Sequence, residues 1–291
     1  MPRWAIAAFL TPPSPPVDRS RPRYVDEMQY AEYLDRFRAH ARLATVEEYA
    51  SVVEHGQEYP LLRVTTPGSR VCTITAGFHG EEPAGPMTLL EHLPEVLEHA
   101  RLRSVGLRIY PNINPSGFEI GTRYNKSGEH PNNDFLRYEL EPGMWVGELH
   151  SEQDFLRWQL FDGGPKETRP LRADLEAQPP PHAALDIHQD HYIGSPLTYA
   201  YVFGPASAYV PLIELSAEHL PIGRDIHVDA HHHTDPAGLV VAHDGSITDY
   251  FHRRGVEYCA TLETTTHSPM EVCHRVNLIW IHGFIELAAR G

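Results

Sequence analysis

The chain is poor in cysteine. Cys72, Cys259 and Cys273 are an odd, sparse set without a CxxC pair, so they offer no disulfide framework and read as buried thiols in a reducing compartment. Long apolar runs are also missing, and no stretch approaches the ~20 residues needed to span a bilayer. "WAIAAFL" (4–10) is short, follows a single Arg3 and lacks a small-residue cleavage site; the expectation is no signal peptide and a cytoplasmic protein. Positive charge is scarce, with 24 Lys and Arg against 39 Asp and Glu and a formal net charge of −15. That balance argues against a nucleic-acid backbone or an anionic membrane as partner. No GxSxG occurs, which disfavours a nucleophile-elbow hydrolase, and no internal repeat is found.

What is present is an ordinary globular composition, 41% hydrophobic and 22% charged, together with 20 histidines. Imidazole is both a common metal ligand and the side chain that titrates near neutrality. "TPPSPPVDRSRPR" (11–23) reads as an extended, Pro-rich lead-in, so residues 1–24 are set apart from a single domain over 25–291. Residues 26–53 carry helical spacing, with Met28, Tyr30, Tyr33, Leu34 and Phe37 on one face, and the acidic stretch around Glu47, Glu48 and Glu54 reads as a solvated face of that helix. Strands are expected at 60–66, 70–78, 107–113, 183–188, 199–204 and 257–263. Helices are expected near 84–100, 168–178, 206–220, 246–254 and 277–289, with Pro94 kinking or splitting the first. This alternation predicts an α/β fold, a mixed, twisted central sheet with helices on both faces, and an excursion at about 136–182.

Three strands end in side chains that a core does not require. "ITAGFHGEEPAG" (74–85) runs out in His79, Glu81 and Glu82; "LDIHQD" ends in His188 with Asp186 two residues before it; "TLETTT" carries Glu263. Ligands of open α/β sheets bind beyond the carboxyl ends of strands, so all three can meet at one site. Two histidines and a glutamate form the ligand set of a catalytic zinc with an open position for water, and such a water has a pKa of about 7. Glu263 suits the proton-transferring base. Spacing alone leaves Glu81 and Glu82 as rivals for the ligand position.

From about residue 54 to the C-terminus, about four-fifths of its length, the chain resembles the zinc carboxypeptidase (funnelin) family. It is closest to the short bacterial murein-peptide carboxypeptidase-like members and to the aspartoacylase/succinylglutamate desuccinylase-like members. "GFHGEEPAG" resembles the ligand loop, which implies that His79 and Glu82 bind one Zn2+ and Glu81 does not. "INPSGFEIGTRYNKSG" (113–128) resembles the segment whose arginine polarises the scissile carbonyl, here Arg123. "KETRPLRADLEAQPPPHAALDIHQD" resembles the part that delivers His188, and "DGSITDYFHRRGVEYCATLET" the run to the catalytic glutamate, Glu263.

The family's Asp-x-Asn-Arg-Asn-Phe string is "EHPNNDF" (129–135) here. Asn132 keeps the asparagine as a substrate-orienting residue. Asn133 replaces the arginine that grips a terminal carboxylate, and an amide lacks that charge and bidentate fork. Arg137 is a candidate replacement cation. Val240 and Val241 stand near the family's mobile-loop tyrosine, His243 is the nearby polar candidate, and Ile247 falls where side-chain preference is set, implying an apolar wall. "HVDAHHHTD" (227–235) raises a second metal site, but adjacent histidines cannot all face one ion and a solvated loop is favoured. "NKS" (125–127) matches a glycosylation sequon that a cytoplasmic chain would not use.

The expected function is therefore zinc-dependent hydrolysis of an amide bond in a small peptide or N-acyl amino acid. The alternatives are an N-acyl amino acid deacylase or small-molecule amidase, which Asn133 favours, and a metal-binding pseudoenzyme, which needs neither Glu263 nor Arg123.

Overall fold

The computed structural model describes residues 28–150 and 153–290. The Pro-rich lead-in and the segment weighed as a signal peptide lie outside the described residues. The first elements are α1 (Tyr30–Arg38), β1 (Thr45–Glu54), β2 (Gln57–Thr65), β3 (Arg70–Ala76), α2 (Ala84–Glu91), α3 (Leu93–Leu102), β4 (Val105–Tyr110) and α4 (Pro115–Ile120). A small antiparallel sheet of β5 (Leu136–Glu141), β6 (Met144–Val146) and β7 (Arg157–Leu160) follows, then α5 (Thr168–Glu176). The chain continues with β8 (Ala183–Asp190), β9 (Thr198–Phe203), α6 (Ala206–Ser216), β10 (Leu239–Val240), α7 (Ile247–Arg253), β11 (Tyr258–Thr265) and α8 (Met270–Ala289). The main sheet has the order β1-β2-β4-β3-β8-β11-β9-β10. Its centre, β4-β3-β8-β11, is parallel, and β1-β2, β2-β4 and β11-β9 pair antiparallel. The excursion at 136–182 holds the small sheet and α5.

Strand alternation separates the two faces of the sheet. Ile74 and Ala76 of β3, Leu185 and Ile187 of β8, and Ala260 and Leu262 of β11 enter one core with α1, α2, α3, α6 and α8. Trp280 of α8 is fully buried there and stacks with Phe284 and Tyr209; truncating a core tryptophan costs about 3–5 kcal/mol. The other face starts apolar with Ala184 and Cys259 against Leu171 and Tyr250. Toward the strand ends it turns polar, because the residues in phase with Ala184 and Cys259 are Asp186 and His188 on β8 and Thr261 and Glu263 on β11. The three cysteines are free and buried.

The helix expected over 26–53 ends at Arg38, although its predicted face does bury Tyr30, Tyr33, Leu34 and Phe37. Residues 45–54 instead form β1, joined to β2 by a two-residue turn in which His55 and Gly56 both have positive φ, 48° and 83°. That is the turn whose twist suits a hairpin. The acidic stretch is therefore not a helix face. Glu54 is wholly buried with Lys166 2.9 Å away. The helix expected over 84–100 splits at His92, just before Pro94, and the last helix starts seven residues earlier than 277.

Candidate metal centre and substrate cavity

The register of the parallel strands brings the chemistry together. Glu263 on β11 pairs with His188 on β8, and Thr75 on β3 pairs with Asp186. After Ala76 the chain turns at Gly77 (φ 74°) and passes so close to α4 that a Cβ at Gly80 would lie 1.9 Å from the backbone of Gly117. Only glycine fits that approach. Asn114 locks the contact: its amide donates to the carbonyls of Phe78 (3.2 Å) and Arg123 (3.3 Å), while its oxygen caps α4 through the Gly117 N–H. The ligand loop and the arginine segment are thus held by one side chain.

His79, Glu82 and His188 are buried, and one ligand atom of each lies within 4.8 Å of the others. Nδ1 of His79 is 2.7 Å from Glu82 Oε1, and Nδ1 of His188 is 2.9 Å from Glu82 Oε2. The Glu82 carboxylate also accepts from Arg123 Nη1 (3.0 Å) and the Gln189 N–H (3.1 Å). Nε2 of His188 is held 2.8 Å from Asp186, which is itself fixed by the Thr75 hydroxyl (2.7 Å). A carboxylate on the far nitrogen sets a histidine's tautomer and raises its basicity as a ligand. Glu81 is not in this group; it lies near Arg123 (3.7 Å) and His191 (3.0 Å).

Burial, only partly opposed by Glu82, holds the His79 imidazole down at about 3, in the neutral form a metal requires. Burial acts the same way on His188, but the carboxylates of Asp186 and Glu82 outweigh it and lift its pKa well above 6.5. At Glu82 burial favours the acid, yet His79 and His188 outweigh it and hold the carboxyl well below its ordinary range. The centre therefore accommodates a positive charge. Two imidazoles and a carboxylate are also the donor set of a catalytic zinc, so these residues fit that ion.

Beside the centre opens a cavity of about 190 Å³, lined by His79, Glu82, Arg123, Asn132, Asn133, His188 and Glu263 among others. Glu263 Oε2 is buried without a hydrogen-bond partner among the described residues. Burial pushes its carboxyl well above the usual range, with His188 opposing and Glu82 and Asp190 adding to it. Nε of Arg123 donates to His130 Nε2 (3.1 Å), whose ring stacks on His79 at 5.0 Å. Burial and Arg123 hold His130 at about 4, so it is a neutral acceptor at neutral pH.

Asn132 lines the cavity with φ 133° and a buried Oδ1 that has no hydrogen-bond partner among the described residues. Asn133 also lines it, but its amide donates to Asp244, through the backbone carbonyl (3.2 Å) and Oδ2 (3.1 Å). Burial and nearby Asp249 push the Asp244 carboxyl up to about 6.

Three expectations on this side of the cavity require correction. Ile247 is fully buried in the core with Phe78 and Tyr250, because the first turn of α7 points it inward, and its neighbours Ser246 and Thr248 line the cavity instead. His243 lies outside the cavity, 2.9 Å from Asp249 and stacked on Phe203. Arg137 does not replace the missing cation: its guanidinium donates to the Asn133 and Leu136 carbonyls and covers the Phe161 ring at 3.9 Å. The 227–235 stretch is a loop in which Asp229 accepts from the His231 and His232 N–H groups, and no metal-holding group includes it among the described residues. Asn125 of the sequon is buried, with its amide engaged by Glu129 and Glu167.

Sequence reasoning left several positioning residues without a role: Asp186, Asn114 and His130. The one legible signal among them was Asp186, two residues before His188 on the same strand face.

No family model matches the chain, and no curated protein does. Solved structures do. A candidate metallopeptidase of Shewanella baltica OS155 superposes with a TM-score of 0.70 at 24% identity, covering 89% of this chain and 92% of that one. Another from Shewanella amazonensis SB2B gives 0.68 at 22%, covering 90% and 94%. A metallo-carboxypeptidase of Burkholderia cenocepacia gives 0.61 at 16%, covering 89% and 70%. Likeness at such identities is one of architecture: the chain has a zinc carboxypeptidase-like fold, a mixed α/β sheet flanked by helices.

Proposed function

We propose that the chain is a zinc-dependent, metallocarboxypeptidase-like hydrolase that cleaves an amide bond in a small peptide or N-acyl amino acid. The observation that carries this reading is the convergence of His79, Glu82 and His188 beside a partner-free oxygen of Glu263 on one cavity. Bound by those three residues, zinc supplies a Lewis acid and a water acidified to a pKa of about 7.

The remaining chemistry belongs to the chain. Glu263 accepts a proton from the attacking water and returns it to the leaving amine nitrogen as the carbon–nitrogen bond breaks. Its raised affinity for a proton suits a group that is base first and acid second. Arg123, held in place by Glu82 and His130, faces the oxyanion that develops on the attacked carbonyl; one such donor is worth a factor of about 10²–10³ in rate. Asn132 offers its unpartnered oxygen to a substrate N–H.

A second reading, a deacylase or small-molecule amidase, is favoured by one observation. Arg123 is the one arginine or lysine lining the cavity among the described residues, and Asn133 spends its amide on Asp244. A substrate's terminal carboxylate thus lacks a dedicated cation. N-blocked dipeptides, N-acyl amino acids and carboxylate-free amides, assayed side by side with and without chelator, test both. Turnover that chelator abolishes and Zn2+ restores is expected, and preference among the three classes separates the readings. Turnover unaffected by chelator, or none on any amide, overturns the proposal.

A further inference from the structure

On the other face of the sheet from His188 and Glu263, a second cluster of ligand-type side chains joins α2, α3 and α8. Helix α2 stops at Glu91, and His92 leaves helical geometry (φ −109°, ψ 11°) before α3 resumes with Pro94 in its first turn. This joint sets Glu91 and His92 beside His274 of α8. One ligand atom from each of the three lies within 4.8 Å of the others. His274 Nδ1 is 3.5 Å from Glu91 Oε2, and the His92 and His274 rings meet edge to face at 5.4 Å.

Two further observations point to a ligand. His274 is only 8% exposed, and its Nδ1, the nitrogen 3.5 Å from Glu91 Oε2, makes no hydrogen bond among the described residues. His92, by contrast, is steadied by Glu95, 3.4 Å from its Nδ1, as ligating imidazoles commonly are by a neighbouring carboxylate.

The histidine pair further along the same helices is a contrast. His99 and His282 stack at 4.3 Å, but Glu286 beside them already holds a cation, Arg103. No arginine or lysine pairs with Glu91 among the described residues.

We infer that Glu91, His92 and His274 form a second, non-catalytic site for a zinc-class divalent cation, which clips the α2–α3 joint to α8. Two imidazoles and one carboxylate select zinc, nickel, cobalt or copper over magnesium and calcium, which prefer all-oxygen shells. Glu91 and His92 are partly exposed, leaving room for solvent ligands and an entry path. The clip bears on the catalytic side of the fold through sequence: α2 begins two residues after Glu82, and α8 begins seven after Glu263.

The test uses the full chain, stripped by chelator and titrated with Zn2+ against a chromophoric chelator. Wild type is expected to take up two equivalents, His92→Ala one, His188→Ala one, and the double variant none. His92 is partly exposed, so its variant keeps the fold, which circular dichroism verifies. In the His188→Ala background, Zn2+ should still raise Tm, and adding His92→Ala should abolish that rise. Equal uptake by wild type and His92→Ala overturns the clip. So does a single wild-type equivalent that disappears in His188→Ala. A single equivalent that survives His188→Ala and is lost in His92→Ala supports the clip while removing the catalytic centre proposed above.

Discussion

The two walls of the cavity are built differently. One is made by adjacent parallel strands, where β8 and β11 set His188 beside Glu263 and the loop after β3 adds His79 and Glu82. The other is made by loop segments that bring Asn132, Asn133 and Asp244 together. On the strand wall His188 and Glu263 are set side by side by the register, and Asp186 fixes His188 from behind. On the loop wall, Asn132 holds an unusual backbone angle and Asn133 is spent on Asp244. In the enzyme proposed above, strand ends would carry His188 and the base Glu263, and the loop wall would carry the residues that meet the substrate.

The sharpest way to break that comparison lies on the strand wall. Glu263→Gln should lower kcat/KM by about 10²–10⁴-fold while the purified protein keeps its metal. A variant that stays fully active removes Glu263 as the base.

The next effect concerns the support under the loop wall. Glu167 precedes α5, is fully buried, and accepts from Asn125 (3.0 Å). Burial, opposed only partly by Asn125, pushes its carboxyl up to about 7 from 4.5. The folded chain therefore binds this proton more tightly than the unfolded one, and stability falls as pH rises from about 4.5 to about 7. The full shift is worth up to about 3 kcal/mol. Glu167→Gln should match wild type at pH 4 and exceed it at pH 8 in urea unfolding. Equal stability at both pH values would contradict this origin.

The smallest effect separates function from strain at Asn132. Glycine accepts its φ of 133° with less strain, so Asn132→Gly should be more stable by about 1 kcal/mol. It should also lose about tenfold in kcat/KM with the missing hydrogen bond. Full activity in a stabilised variant would make Asn132 structural.

The same contrast explains what could be read from the sequence. Apolar strands that end abruptly in His79, His188 and Glu263 announce themselves, because a core strand has no use for them. The inward face of α1 is visible for the same reason. The β1–β2 hairpin is hidden in the sequence because only two residues of its polar first strand, Val52 and Glu54, are buried, so no alternation marks it as a strand. Ile247 and His243 were misplaced because loop conformation, not sequence distance, decides which residues of 240–248 face the cavity. His130 left no local signal; its role depends on a stack with a ring 51 positions earlier.

The most direct test of the account is anomalous scattering at the zinc edge from crystals of the full chain. A peak about 2.0–2.2 Å from His79, His188 and Glu82 is the predicted result. Density that leaves both imidazoles hydrogen-bonded to Glu82, with no zinc peak between them after soaking in Zn2+, would contradict it.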